Sequence, residues 1–329
     1  MKFATGLKGG RKIVYVSTGN GARELAAVCA AAGIDAPAST LELIEQAGQD
    51  ATLLKRIADA ADKAPAVDEE TIDWLAPVTN PSKILGVAFN NKELMKQAHV
   101  DPGVPNYFLK PPSALQGHKK PIVLDPEWGA VIPEPEICAI IGKRAKDVPE
   151  SEILDYVFGY AIHNDVTSHG LKFQKDSIAV TYDPDMAHPE FYKWRRLNGE
   201  DDRDVYYVYH TRSKGTDTFG PIGPWLTTRD EIANPNEIDV VGDLDGEVFT
   251  RDRTSNFRFS IEKCLSEASY YFTLEPGDIV SFGTTGKGEG RFRRGHKSVL
   301  MNKMTGTIGI TVPGLGRLEN PIQHKSTKR

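Results

Sequence analysis

Cysteine is scarce in this sequence. Three occur in 329 residues, Cys29, Cys138 and Cys264, and none belongs to a CxxC pair. An odd, scattered set argues against a disulfide framework and for a reducing compartment. Each has an apolar neighbour in sequence, so each is read as a small buried hydrophobe. Long apolar runs are missing as well. Nothing approaches the roughly 18 residues of a membrane span, and the opening MKFATGLKGGRK holds no signal-peptide core. Excess positive charge is also absent: 40 Lys and Arg stand against 45 Asp and Glu, for a net charge of −5. That excludes the basic footprint of a nucleic-acid or anionic-membrane binder. The short tail HKSTKR (324–329) is read as a solvated terminus. Together these shortages set the expectation of a cytoplasmic protein with neither nucleic-acid nor membrane partners.

What is present is an ordinary globular composition, 40% hydrophobic and 26% charged, with length for one large domain or two. Residues 1–79 differ in texture from the rest. KIVYV (12–16) reads as a strand, and ARELAAVCAAAGI (22–34) is Ala-rich with helical spacing, stopping at Gly33. STLELIEQAG opens with Ser39 and Glu42 at capping-box spacing. DATLLKRIADAADK puts Leu53, Ile57 and Ala60 on one face. The proline-punctuated APAVDEETIDWLAPVTNPSK then reads as a linker. A small α/β N-terminal domain over 1–79, mostly a helical cap without chemistry, is expected to precede a larger domain over 80–329.

From Ile84 onward short β-rich runs alternate with Gly and Pro turns, as in KILGVAF, EICAIIGK, YVFGYAI and TGTIGITV. This spacing predicts an α+β, mainly β domain, with helices at VPESEILDYV (148–157) and SIEKCLSEASYY (260–271). The stretch 171–212 is irregular, charged and aromatic, holding Tyr182, Phe191, Tyr192, Trp194, Tyr206, Tyr207 and Tyr209. Base stacking would call for a basic surface, so this stretch is read as an insertion or subunit contact.

The chemistry concentrates in IPEPEICAIIGK (132–143). Residues i and i+2 of a strand share a face, so Glu134 and Glu136 can converge on one point. Like charges this close repel unless something positive sits between them. Asp165 follows the next apolar strand, YVFGYAI, and completes a hard, all-oxygen, trianionic set. Such a set suits Mg²⁺, Mn²⁺ or Ca²⁺, and no Cys/His spacing recommends zinc. The plainer alternative is a solvated strand end beside Lys143 or Arg144.

The surrounding words are more specific. In order stand NPSKILGVAFN (80–90), YFLKPPSAL (107–115), EPEICAIIGKRAKDV (134–148), GYAIHNDVTS (159–168), GTDTFGPIGPWL (215–226), LEPGDIVSFGTTGKG (274–288) and VPGLGRLENPI (312–322). This series resembles the fumarylacetoacetate hydrolase family over about residues 80–322, while residues 1–79 sit where larger members carry a small variable domain. The resemblance implies a mixed β-sandwich or roll, a bound Mg²⁺ and a homodimer. It implies an enzyme that cleaves C–C bonds in acylpyruvates and related β-diketo acids, or that decarboxylates, isomerises or dehydrates 2-oxo acids. By the same resemblance Glu134, Glu136 and Asp165 hold the metal, Lys214 matches the active-site lysine, and Thr285, with Gly286 and Asn90, contacts substrate. The metal would polarise the 2-oxo group, and Lys214 would add positive charge where the oxyanion develops. Backbone N–H groups of the turn 283–288 offer a carboxylate site.

Two departures bear on mechanism. Family hydrolases and decarboxylases carry a lid helix with a His three residues before a Glu, which activates water. In NNKELMKQAHV (90–100) those positions hold Leu94 and Gln97, with Glu93 and His99 out of register. The family's ND-x-S-A-R-D reads NDVTSHG here, so His169 replaces an arginine and Gly170 an aspartate. That exchanges a permanent charge for a group that titrates near neutrality. His169 and Glu289 are the substitute bases to consider, with the 171–212 stretch and a neighbouring subunit as other sources. A Mg²⁺-dependent C–C hydrolase is the leading expectation. A dehydratase, isomerase or decarboxylase of a 2-keto-3-deoxy sugar acid or related 2-oxo acid comes second. A non-catalytic 2-oxo-acid-binding protein comes third.

Overall fold

The computed structural model describes residues 1–98, 101–181 and 204–326. His99 and the aromatic residues Tyr182, Phe191, Tyr192 and Trp194 of the expected insertion lie outside the described residues.

The strand Pro135–Ile141 is buried along its whole length. Alternation sends Ile137, Ala139 and Ile141 into one core and Cys138 and Ile140 into another. A strand covered on both faces has no solvent side to mark, which is why its sequence is continuously apolar. It lies inside a twelve-stranded mixed sheet. On one side it pairs antiparallel with Val157–Asn164, which pairs with Gly220–Thr228. On the other it pairs with Ile279–Ser281, followed by Ile84–Ala88 and the edge strand Asn106–Lys110. A five-stranded sheet and the helix Ile261–Tyr271 supply the first core. The helices Leu25–Ala32, Thr40–Gln49 and Leu53–Ala60 supply the second. The class is α+β, mainly β.

The N-terminal stretch is more than a helical cap. Gly9 and Gly10 take φ of 56° and 78°, making a two-residue turn between Lys2–Lys8 and Arg11–Ser17. Positive φ at both turn positions matches the twist of a hairpin, and glycine adopts it freely. Lys2–Lys8 then pairs with Gly220–Thr228, placing Phe3 opposite Leu226. The stretch read as a linker contributes Asp73–Leu75, antiparallel to Lys2–Lys8. One sheet therefore runs through residues of both expected domains. The helix expected at 148–157 shrinks to a 3₁₀ turn, Ile153–Tyr156, because Val157 already belongs to the next strand and Tyr156 O accepts from Gly142 N.

The predicted cap at Ser39 is present, and Ser260 caps its own helix in the same way. Ser39 Oγ accepts from Glu42 N at 3.1 Å, while Glu42 Oε2 takes Ala38 N at 2.8 Å, one residue earlier than in the reciprocal capping box. Ser260 Oγ accepts from Lys263 N at 3.1 Å. All three cysteines are buried and free. Among the described residues no helix is long and apolar enough to cross a membrane.

His118 is 8% exposed and packs edge-on against Trp74, with ring centroids 5.6 Å apart. Its Nδ1 accepts from Glu319 N at 3.0 Å, so that nitrogen is bare and the ring neutral. Burial pushes its pKa down to about 4. An unfolded histidine binds its proton below about 6.5. Between these values the unfolded chain holds more protons, so stability is full above pH 6.5 and falls as pH drops toward 4. Denaturant unfolding from pH 7 to 4.5 is expected to show this loss, with His118 contributing up to about 3 kcal/mol. His118→Gln flattens the profile in part, because burial also lowers His163, His210 and His296. Equal slopes in the two proteins would contradict the assignment.

Candidate active site

Two strand ends are stitched together where the carboxylates converge. Pro135 stands opposite Asn164 and Glu136 opposite His163. Beyond the last pair, Asp165 N donates to Glu134 O at 3.0 Å, and Glu134 N donates to Asn164 Oδ1 at 2.9 Å. Glu134, Glu136 and Asp165 thereby present ligand atoms that all lie within 4.8 Å of one another. The period-2 reading of E-x-E accounts for two of them, and the antiparallel register brings the third.

Two ammonium groups face the three carboxylates. Lys110 Nζ donates to Asp165 Oδ1 at 2.7 Å and to Phe219 O at 2.9 Å. Lys214 Nζ donates to Glu134 Oε2 at 2.8 Å and to Asp165 Oδ2. Lys214 sits in the short helix Thr211–Gly215, whose first turn is held by Asp176 through Ser213 N at 2.7 Å. The Phe108 ring lies 4.7 Å from its ammonium. Burial opposes charge on Asp165, but Lys110 and Lys214 outweigh it and hold the carboxyl below the usual range. Burial also opposes charge on Lys214, yet Asp165, Glu134 and Glu136 hold it above the ordinary lysine value. For the fully buried Lys110 desolvation wins, and its pKa is lowered despite Asp165.

Glu136 differs because, among the described residues, it has no cation of its own. Burial, then Asp165 and Glu134, push its pKa well above the carboxylate range. Its Oε2 accepts from Ser281 Oγ at 2.5 Å and Gly283 N at 3.0 Å. Ser281 Oγ also lies 2.8 Å from His163 Nδ1, so His163, Ser281 and Glu136 form one hydrogen-bonded chain. Gly283 has φ 101°, and a Cβ on it would lie 3.0 Å from Asn90 Cβ. Only glycine turns its N–H onto Glu136 at this point without strain.

The carboxylates open into a cavity of about 100 Å³. Leu94, Phe108, Lys214 and His169 line it, as do Lys172, His210, His296 and Lys297. Of the residues expected from sequence, Glu134, Glu136, Asp165, Lys214 and His169 are brought together. Four others are not among the residues that line it. Asn90 commits its amide to Phe282 O at 2.8 Å, Phe259 O at 3.3 Å and Phe259 N at 2.8 Å. The Thr285 hydroxyl bonds Thr250 Oγ1 at 2.8 Å, and it is Thr284 that faces the cavity. Gly286 N donates to Asp252 Oδ2 at 2.8 Å. Glu289 pairs with Arg251 at 3.2 Å with its side chain 43% exposed. The polar groups of this turn hold the turn itself, and two of its N–H groups are already taken by Glu136 and Asp252.

Lys110, Lys172, His210, His296 and Lys297 were not legible as site residues. Lys110 alone left a signal: in YFLKPPSAL it ends an apolar strand two residues after Phe108, on the same face, with no acidic neighbour to pair it.

The donor set is hard and all-oxygen, and the cluster is one positive charge short, since Glu136 lacks the cation its two neighbours have. These residues fit a divalent ion such as Mg²⁺ or Mn²⁺. Lys110→Met keeps most of the buried stem but removes the charge. Breaking one partner of a buried pair costs about 3–5 kcal/mol. Denaturant unfolding of metal-free Lys110→Met is expected to show a loss of that order, shrinking when Mg²⁺ or Mn²⁺ is saturating. Equal stability of mutant and wild type without metal would remove Lys110 from this charge balance.

Known proteins carry the same arrangement of sequence and fold. The family model "Fumarylacetoacetate (FAA) hydrolase C-terminal" matches residues 83–323. Oxaloacetate tautomerase Fahd2a, mitochondrial, of Rattus norvegicus is 29% identical over 259 residues, covering 78% of this chain and 72% of that protein. Maleylpyruvate hydrolase of Aquipseudomonas alcaligenes is 29% identical over 273 residues, 79% of this chain and 82% of that protein. The crystal structure of maleylpyruvate hydrolase from Sphingobium sp. SYK-6 with manganese(II) ion and pyruvate covers 99% of this chain and 100% of that one, at 23% identity and a TM-score of 0.69, a likeness of fold. Because the family match spans the strands and the helix that carry Glu134, Glu136, Asp165 and Lys214, the chain belongs to the fumarylacetoacetate hydrolase family.

Proposed function

We propose that the protein is a divalent-metal-dependent enzyme that splits a C–C bond in a small acylpyruvate by way of the enolate of its 2-oxo acid half. The observation that carries this reading is the Glu134–Glu136–Asp165 cluster, with the Lys214 ammonium beside it, in the wall of one small cavity. Maleylpyruvate hydrolase among the relatives supports the reaction class.

A bound divalent ion would polarise the 2-oxo group and ease formation of the enolate. The chain's own groups do the rest. Lys214, held charged by its carboxylate neighbours, supplies positive charge where the enolate oxygen forms. Lys172 and Lys297 line the cavity and have no carboxylate partner within salt-bridge distance among the described residues. Their charge suits a substrate with a second anionic group. In the cleavage, water adds to the C4 carbonyl and the C3–C4 bond breaks. Its electron pair becomes the enolate, and a proton returns to C3, releasing a carboxylate and a shorter 2-oxo acid.

One observation favours a second reading, keto–enol tautomerisation or isomerisation of a 2-oxo dicarboxylic acid. Leu94 faces the cavity where family hydrolases present histidine, and Gln97 is tied to Lys297 at 3.0 Å. Enolisation moves a proton at C3 and needs no activated water. The tautomerase relative is consistent with it.

An acylpyruvate series is expected to be turned over, with activity lost in EDTA and restored by Mg²⁺ or Mn²⁺. Keto–enol conversion of oxaloacetate without acylpyruvate turnover would move the conclusion to the second reading. Glu136→Gln is expected to lose divalent-metal binding in calorimetry while keeping its cooperative unfolding transition. Wild-type metal affinity in that variant would show the ligand assignment to be wrong.

A further inference from the structure

The proton that an enolate reaction moves has no obvious carrier on the segment that bears Leu94 and Gln97. Three imidazoles line the same cavity, and they are not equivalent. His169 sets its ring 6.0 Å from Phe173, a side chain 64% exposed. His210 is half-buried, 6.0 Å from the Phe108 ring. His296 is 2% exposed, the most deeply buried of the three, and its Nδ1, like that of His210, is sealed from solvent without a hydrogen-bond partner among the described residues. Leaving a buried polar atom unpaired costs about 1–3 kcal/mol. With Nδ1 sealed, Nε2 is the ring nitrogen left to meet a group in the cavity that His296 lines.

The backbone around His296 is built to bring it there. Gly295 has φ +57°, and a Cβ on it would lie 2.7 Å from Lys287 O, so the 3₁₀ turn Gly295–Ser298 packs backbone to backbone on residue 287. The following residue, Lys297, donates to Gln97 Oε1 at 3.0 Å. The turn carrying His296 is thus bonded to the residue that stands where the family's glutamate would be, and His296 shares a cavity wall with Leu94, which stands where the histidine would be. Burial keeps the ring neutral, its pKa pushed down to about 4, so at neutral pH it has a lone pair to offer.

We propose that His296 carries the C3 proton of the 2-oxo substrate, from a segment other than the one that bears Leu94 and Gln97. This rests on the enolate reading above. In the enolising direction the C3–H bond breaks and its electron pair forms the C2–C3 double bond. The carbonyl π pair moves to the C2 oxygen, and the proton resides on the imidazole as imidazolium. In the other direction the imidazolium returns that proton to C3. No oxidant, reductant or further co-reactant enters.

The test follows exchange of the pyruvate methyl hydrogens in D₂O by proton NMR, with Mg²⁺-loaded protein. Wild type is expected to exchange them. His296→Gln is expected to slow exchange about 100-fold or more, with Mg²⁺ affinity, pyruvate affinity and thermal unfolding near wild type. His296→Asn is measured beside it in case the longer amide prevents folding, and imidazole added to His296→Gly is expected to restore exchange. Wild-type exchange in either folded amide variant overturns the assignment and leaves the enolate reading standing. Loss of pyruvate binding together with exchange overturns it in favour of a binding role. A wild-type protein that exchanges nothing overturns the enolate reading, and this assignment with it.

Discussion

Burying three carboxylates at the ends of two adjacent strands is the constraint around which this structure is arranged. Removing one such ion from water costs several kcal/mol even after relaxation, and Glu136 and Asp165 are 3% and 0% exposed. The compensating charge comes from elsewhere in the chain. Lys214 arrives on a helix whose start is tied down by Asp176. Lys110 arrives from an edge strand that is separated from Val157–Asn164, the strand that leads into Asp165, by three others. In a flat sheet that separation would be about 19 Å, more than a lysine side chain spans. The Lys110–Asp165 bond at 2.7 Å therefore requires the sheet to curl back over its own central strands. The curl that closes the ion pair also brings Phe108 to the cavity wall beside Lys214.

What could be read from the sequence follows the range of the interaction. Glu134 and Glu136 were legible because strand alternation is local, and Ser39 because a cap spans three residues. Asp165 needed one further step, that two apolar strands lie side by side. Lys214 was found only through resemblance to a family. Lys110 was missed because its partner lies 55 residues away and its burial depends on how the sheet curls. Asn90, Thr285 and Gly286 were placed at the substrate by resemblance to the family. In the fold they are occupied by Phe259, Thr250 and Asp252, since a buried turn must satisfy its own polar groups first. The N-terminal hairpin carried a clear Gly9–Gly10 signal, yet its place in the large sheet rests on Phe3 meeting Leu226, a pairing no local pattern announces.

The site divides its work between rigid and replaceable parts. The carboxylates sit at strand ends locked by register, and their charge balance leaves little freedom, because losing one member leaves another ion buried without a partner. The groups that line the rest of the cavity come instead from short segments: Leu94 from one, His169 from the start of a short helix, His296 and Lys297 from a 3₁₀ turn. These segments are coupled to one another. Asp252, itself buried, accepts from Gly286 N and from Asn91 Nδ2, and Asn91 Oδ1 in turn caps the segment carrying Leu94 at Glu93 N. Gln97 closes the circuit through Lys297. Substitutions in this ring can change how a proton reaches the substrate without disturbing the ions beneath it. Here Leu94 and His296 line one cavity, the apolar side chain on one segment of the ring and the proposed proton carrier on another.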